Sequence, residues 1–312
     1  MGVIATHRFF ACAALLLCAA TAVAQTAPVP VVKEGTTVKI SEHVYVIPDE
    51  RVPMVPNVGF VVGSKATLVI DPGMGIRSGE VVLRELSKIS KNSELFVANT
   101  HFHPEHTTGD GAFPQSAKVI RAAAQQQDVD EMAMAWVDTF RKRSPQIAEV
   151  LKGASFRKPA QTFDKTTTLD LGGVRVRMMW LGPGHTRGDT VFFVEEDQVL
   201  FSGDLAMRDI FPAFATPQSS ARSWLTSLDV LDKLGAKRVV PAHGVMTDAS
   251  VISAYRDFIR ALQSRVAALK AEGKTQVETA MLVTNEFTPK YSGWDQPIRI
   301  QAAARSMYDE KP

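Results

Sequence analysis

Four short segments of this sequence bring imidazole and carboxylate groups to turns. The densest runs from Thr100 through His101, Phe102, His103, Pro104 and Glu105 to His106. On an extended segment, residues two apart point the same way, so His101 and His103 can converge on one cation. Pro104 then turns the chain, and Glu105 and His106 can face a neighbouring position. Imidazole nitrogen and carboxylate oxygen suit zinc, manganese or iron better than Cu(I) or a calcium site. A helical His-Glu-x-x-His motif is excluded, because no Glu directly follows the first His. The other segments are Gly182-Pro183-Gly184-His185-Thr186, Phe201-Ser202-Gly203-Asp204 and Pro241-Ala242-His243-Gly244. Each is weak alone. A loop His is commonly just solvated, and an Asp after a strand commonly caps a helix.

A cation on such ligands lowers the pKa of bound water toward neutrality and generates hydroxide. The same cation stabilises the negative charge that develops on a carbonyl or phosphoryl oxygen. Glu105 is placed to accept or relay a proton. No Ser or Cys nucleophile is needed, so the expected reaction is hydrolysis of a small-molecule substrate.

Elements must exist to carry these turns to one place. Residues 37–47 alternate as a strand with a turn near Ser41-Glu42, and 57–62 and 66–70 read as a hairpin split by Gly63-Ser64-Lys65. Helical spacing of Val81, Val82, Leu86 and Ile89 follows, and then a short buried strand at 95–98 runs straight into the His cluster. Residues 115–121 read as another strand. Residues 122–154 are helical in composition, with Pro145 breaking them. A second block repeats the theme, with a hairpin at 166–180, strands at 190–194, 199–202 and 238–241, and an amphipathic helix at 221–234. A long helix at 254–271 and shorter ones near 276–287 and 297–308 complete the chain. Two similar blocks without a linker predict two sheets packed face to face with helices outside, in one domain over 37–312. Trp136, Phe140 and Met134 read as core in preference to a lid, as do Phe287, Tyr291 and Trp294. His43, inside a strand pattern, reads as structural.

With 312 residues the chain can bury a sizeable core. Lys plus Arg total 35 against 33 Asp plus Glu, a balance that gives no case for a nucleic-acid or membrane-surface partner. The N-terminus carries Arg8, a short apolar run at 9–20 and Ala22-Val23-Ala24, the three-part layout of a secretory signal peptide over residues 1–24. The expected location is periplasmic or secreted. Cys12 and Cys18 both lie in that leader, so the mature chain is expected to hold no thiolate and no disulfide. Residues 25–36 read as a loose lead into the fold.

In order and spacing, the four ligand segments, together with Asp71 in Val69-Ile70-Asp71-Pro72-Gly73, resemble the metallo-β-lactamase superfamily. The resemblance covers nearly all the mature chain, with its core at 37–245. It implies an α/β fold, a four-layer αββα sandwich with a metal site along one edge. It implies that His101, His103 and His185 hold one metal and that Glu105, His106 and His243 hold a second, with Asp204 bridging. The expected metal is zinc, one or two ions, with iron or manganese as alternatives. Asp71 is implied to support the site from beneath. Most members carry Asp where this chain has Glu105. The longer side chain either still ligates a displaced second metal or acts as a general base beside a single one. Asp204 resembles the bridging residue of glyoxalase II and lactonase branches, which leans toward an ester, thioester or lactone. Export favours a β-lactam. Only 38 residues separate Asp204 from His243, too few for the extra domain of the nuclease relatives. The competing expectations are a mononuclear iron dioxygenase acting on a persulfide and a non-catalytic metal-binding module.

Overall fold

The apolar runs of the sequence become two mixed sheets. The first holds β1 (Val38–Lys39), β2 (Val44–Ile47), β3 (Val58–Val62), β4 (Ala66–Ile70), β5 (Glu94–Ala98), β6 (Lys118–Ala122) and β7 (Gln161–Phe163), in that spatial order. Pairing is antiparallel from β1 to β4 and parallel from β4 to β7. The second holds β8 (Thr166–Asp170), β9 (Arg175–Trp180), β10 (Thr190–Val194), β11 (Val199–Gly203) and β12 (Arg238–Pro241), antiparallel except for the parallel pair β11–β12. This is a computed structural model, and it describes residues 1–2 and 28–311. All of the signal-peptide reading beyond residue 2, with Cys12 and Cys18, lies outside the described residues.

Alternation along each strand builds the layers. In β4, Leu68 and Ile70 face the second sheet and pack with Met178, Phe192 and Phe201, while Val69 faces outward. Outside the first sheet lies α1 (Gly75–Ile89), which buries Val81, Val82 and Leu86 against Val69 and Val97. Each such side chain contributes roughly 1.5–3 kcal/mol by leaving water. Outside the second sheet lie α5 (Ala221–Asp232) and α6 (Ser250–Ala271). Trp224, Phe258 and Leu262 from these helices pack with Leu200 and Val239. The result is the expected four-layer αββα sandwich. No helix among the described residues is long and apolar enough to cross a membrane.

Between β5 and β6 lie a one-turn helix, α2 (Pro104–Thr107), and a 3-10 turn at Thr108–Ala112. Next come α3 (Ala123–Arg141) and α4 (Pro145–Val150). Pro145 starts α4 as well as ending the helical run before it, and the Ser144 hydroxyl accepts from the Ile147 N–H as its N-cap. The chain ends with α7 (Gln276–Lys290) and α8 (Arg299–Asp309).

The sequence suggests a loose lead over residues 25–36, of which the structure describes 28–36. Residues 28–36 are no loose lead. Val32 is buried with Val81 and Val82, and the Gly35 N–H donates to Glu85 Oε1 at 3.0 Å.

Strand direction explains the location of the turns. β4 and β5 run parallel, and so do β11 and β12, so residues following each pair emerge at one edge. β9 is antiparallel to β10, which is antiparallel to β11, so the loop after β9 opens at the edge where β11 ends. Asp71, the His101–His106 run, His185, Asp204 and His243 all sit on those exits.

Candidate metal centre

The His101–His106 segment is held down by close backbone approach. A Cβ on Gly79 of α1 would lie 2.1 Å from the Gly109 carbonyl oxygen, so only glycine lets the helix seat against the 3-10 turn. Thr108 Oγ1 accepts from the Gly75 N–H at 2.8 Å. Beneath the cluster, Asn99 Nδ2 donates to the His106 carbonyl at 2.9 Å and to Asp110 Oδ1 at 3.1 Å. Across the site, Gly203 has φ +58 and its missing Cβ would crowd the Thr100 side chain, which fixes the tight turn that presents Asp204.

Three imidazole nitrogens face one another. His101 Nε2 lies 2.9 Å from His103 Nδ1, and His185 Nε2 lies 3.3 Å from that same atom. The second nitrogen of most rings is already engaged. His101 Nδ1 donates to Thr100 Oγ1 at 3.1 Å, and that hydroxyl donates on to Asp71 Oδ2 at 2.7 Å. His185 Nδ1 donates to the Ala213 carbonyl at 2.5 Å, His106 Nδ1 to Asp71 Oδ2 at 3.0 Å, and His243 Nδ1 to the Val55 carbonyl at 2.9 Å. A nitrogen that donates on one side of a neutral ring leaves a bare lone pair on the other. His101, His106, His185 and His243 therefore present Nε2 lone pairs inward.

Burial, with the mutual repulsion of the rings, holds His101, His103 and His106 well below the ordinary imidazole pKa. For His185 burial also lowers it, against the opposing pull of Asp204. All four are neutral at pH 7, the form that ligates a metal.

The donors fall into three overlapping groups within 4.8 Å: His101 with His103 and His185, His101 with His106 and Asp204, and Glu105 with His106 and His243. Asp204 lies between the halves, with Oδ2 3.5 Å from His185 Nε2 and Oδ1 4.0 Å from His243 Nε2. The fit to a divalent cation is good on two observations. Tetrahedral nitrogen ligands at about 2.0–2.1 Å from zinc stand roughly 3.3 Å apart, close to the 2.9 and 3.3 Å that separate His103 Nδ1 from the His101 and His185 nitrogens. Buried His106 Nε2, Glu105 Oε2 and Asp204 Oδ1 have no hydrogen-bond partner, and a cation would satisfy all three. Burial pushes the Glu105 carboxyl up to about 8.

All seven sequence-predicted ligands converge at this one centre. Asp71 supports from beneath as expected, accepting from the Thr100 N–H at 2.7 Å and from His106. His43 pairs with Asp197 at 2.7 Å, remote from the centre, as a structural His should. Asp189 adds support that sequence reasoning missed. Its buried carboxylate accepts from the N–H groups of Thr186 and Gly184 and from Thr186 Oγ1, which fixes the loop carrying His185. An Asp four residues after a ligand, past two polar donors, is the signal that was present.

Above the centre opens a cavity of about 700 Å³. The segment between β6 and β7 overhangs it, contrary to the core reading of Trp136. That ring lies over His103 with centroids 4.4 Å apart, Phe140 follows at 6.0 Å from Trp136, and Arg143 caps Phe140. Met134 is neither core nor lid, since it faces solvent. Phe287, Tyr291 and Trp294 pack on Phe258 as expected, but Asp295, Gln296 and Arg299 just beyond them reach the cavity. Arg143 and Arg299 carried no sequence signal, because nothing local distinguishes them from solvated arginines.

The family model that describes the metallo-beta-lactamase superfamily matches residues 51–243, more than half of the chain. The chain belongs to the metallo-beta-lactamase superfamily. Among members of this superfamily it is 23% identical over 281 residues to a linear primary-alkylsulfatase of a Pseudomonas species, covering 77% of this chain and 53% of that one. It thus spans about half the length of that relative. It is 26% identical over 200 residues to an acyl-coenzyme A thioesterase of Gallus gallus, covering 60% of this chain and 72% of that one. In fold it is similar to the inverting sec-alkylsulfatase Pisa1 from Pseudomonas sp., with TM-score 0.68 and 15% identity over 87% of this chain and 49% of that one. The superfamily members with these names are hydrolases, and the His-rich centre suits a divalent metal.

Proposed function

We propose that this chain is a metal-dependent hydrolase of ester, thioester or lactone bonds in small molecules, with His101, His103, Glu105, His106, His185, Asp204 and His243 as its metal ligands. The observation that carries the reading is the convergence of inward-facing imidazole lone pairs with the buried, unpartnered oxygens of Glu105 and Asp204. When bound there, a divalent cation, zinc first and iron or manganese as alternatives, lowers the pKa of its water and polarises the oxygen of the scissile group. His101, His103 and His185 would hold one cation, and Glu105, His106 and His243 a second, with Asp204 shared between them.

The chain's own groups do the rest. Asp71, Thr100, Ala213 and Val55 hold the ligand rings in one tautomer, so no reorganisation is needed at the moment of reaction. Trp136 excludes water from the His103 side of the centre. Glu105 Oε2 is free to hold a proton in the absence of a second cation, because nothing else binds it. The acyl-coenzyme A thioesterase relative supports acyl transfer to water, and the signal-like residues 1–24 support work outside the cytoplasm, where a β-lactam is a further candidate.

The test is turnover of matched ester, thioester, lactone, β-lactam and phosphodiester substrates by zinc-loaded protein with and without chelator. Chelator-sensitive cleavage of an acyl substrate is expected. No turnover across the panel in protein carrying a full metal complement would overturn the enzyme reading in favour of a metal-binding module.

A further inference from the structure

The cavity over the centre holds more cationic groups than its carboxylates engage. Its acids are Asp49, Glu105, Asp204 and Asp295, and its arginines are Arg51, Arg143 and Arg299. Asp295 pairs with Arg51 at 3.0 Å. Asp49 accepts the N–H groups of Arg51 and Gly244 at 3.0 and 2.7 Å. Glu105 and Asp204 lie among the histidines. Two guanidinium groups are left. Arg143, just beyond α3, lies 3.8 Å above the Phe140 ring centroid and points one nitrogen at Met54 Sδ, 3.3 Å away. Arg299, the first residue of α8, donates to the Phe211 carbonyl at 3.1 Å. Neither forms an ion pair with a carboxylate among the described residues. The fold brings them from the middle and the C-terminal part of the chain to one mouth, where Arg143 feels the charge of Glu105 first and that of Arg299 after it. Glu105 is the carboxylate whose charge reaches both guanidinium groups, but it forms an ion pair with neither and, as a proposed metal ligand, faces the histidines, so an oxyanion bound between the two arginines would offset their remaining repulsion.

We propose that Arg143 and Arg299 form a clamp for an oxyanion on the substrate, distant from the bond that is cleaved. The substrate is then an acyl derivative whose apolar arm ends in a carboxylate, sulfonate or phosphate. The arm lies along the aromatic ladder that leads from His103 through Trp136 and Phe140 to Arg143. Guanidinium forks suit such planar or tetrahedral oxyanions, and the stacked Arg143 is held ready in orientation. This deepens the hydrolase reading and rests on it.

The experiment uses zinc-loaded protein and two aryl esters of matched length, 4-nitrophenyl hexanoate and the mono-4-nitrophenyl ester of adipic acid, with sulfonate- and phosphate-ended analogues to sort the oxyanions. The expected result is a kcat/KM preference of about tenfold or more for an acid-ended ester, as charge-assisted hydrogen bonds provide. That preference should shrink with added NaCl and should fall about tenfold in Arg143→Gln and in Arg299→Gln, chiefly through KM. Arg143→Lys should recover part of it. Melting curves establish that the variants fold. Adipate binding by calorimetry is the readout that needs no turnover, and the same two substitutions should weaken it. Equal use of neutral and acid-ended esters, insensitive to salt and to both substitutions, would overturn the clamp and leave the hydrolase reading standing. Arginine-dependent adipate binding without cleavage of any ester here or of any substrate in the wider panel would keep the clamp and overturn the hydrolase reading.

Discussion

Asp71 accepts the Nδ1 proton of His106 at 3.0 Å, with both side chains buried, and so aims His106 Nε2 at the centre. Asp71 has φ +53, a left-handed conformation that costs free energy for a residue with a Cβ but that Asp tolerates better than most. The same carboxylate takes the Thr100 N–H and hydroxyl, and through that hydroxyl it orients His101. One acid thus sets two ligand rings.

Asp71→Asn cannot accept from all three donors. The expected outcome is a 10- to 100-fold loss of metal affinity, as outer-sphere partners of ligating histidines usually carry. Competition with a zinc-chelating dye measures it. Unchanged affinity in a folded variant would remove Asp71 from the support of the centre.

Metal loading should depend on pH through Glu105. Burial raises its pKa to about 8, above the ordinary 4.5, so near neutrality the cation-free protein holds a proton there that a cation must displace. Affinity at the second position should therefore rise toward tenfold per pH unit from 6 to 8 and flatten above 8. Glu105→Gln carries no such proton. Its affinity at the second position should be lower, and the Glu105 component of the pH slope should vanish. A wild-type slope that persists in full in the Gln variant would assign the proton to another group. A raised carboxyl contributes stability that is fully present below about 4.5 and is lost as pH rises through 8, so in the metal-free protein this group favours the fold most at low pH.

Trp136 lies on His103 but is not positioned by the sheets, so its removal should act on binding more than on the centre. Trp136→Ala is expected to raise KM for apolar acyl substrates by about tenfold, in keeping with a lost aromatic contact, while zinc content stays at the wild-type level. Steady-state kinetics paired with metal analysis tests this. Loss of zinc in the folded variant would make the ring part of the centre's support instead.

The strands were legible because continuous apolar runs such as 66–70 and 190–194 admit few readings, and Gly- and Pro-rich strand exits carry the candidate ligands. Other elements left little signal. β7 buries only Phe163 and pairs as an edge, so its three residues resemble a loop. α2 hides in the ligand run, since Pro104 reads as a turn when it is in fact the first residue of one helical turn. Val32 is one apolar residue in a Pro-rich stretch, and only the surface of α1 reveals its seat. Among the candidate site residues, the proposed ligands carried a signal in their local chemistry, and the fold brings them together. Arg143 and Arg299 were not, because their role comes from meeting across the cavity. Trp136 was ambiguous because apolar side chains pack equally well in a core or over a site.

Metal content per chain tests most directly whether the seven side chains hold two cations. Elemental mass spectrometry on protein purified without chelator and supplied with zinc should give two equivalents per chain, and Asp204→Ala should bring it to one or fewer. A wild-type ratio that stops at one would contradict the role of Glu105, His106 and His243 as a second set of ligands. A ratio of zero after loading would contradict the metal centre itself.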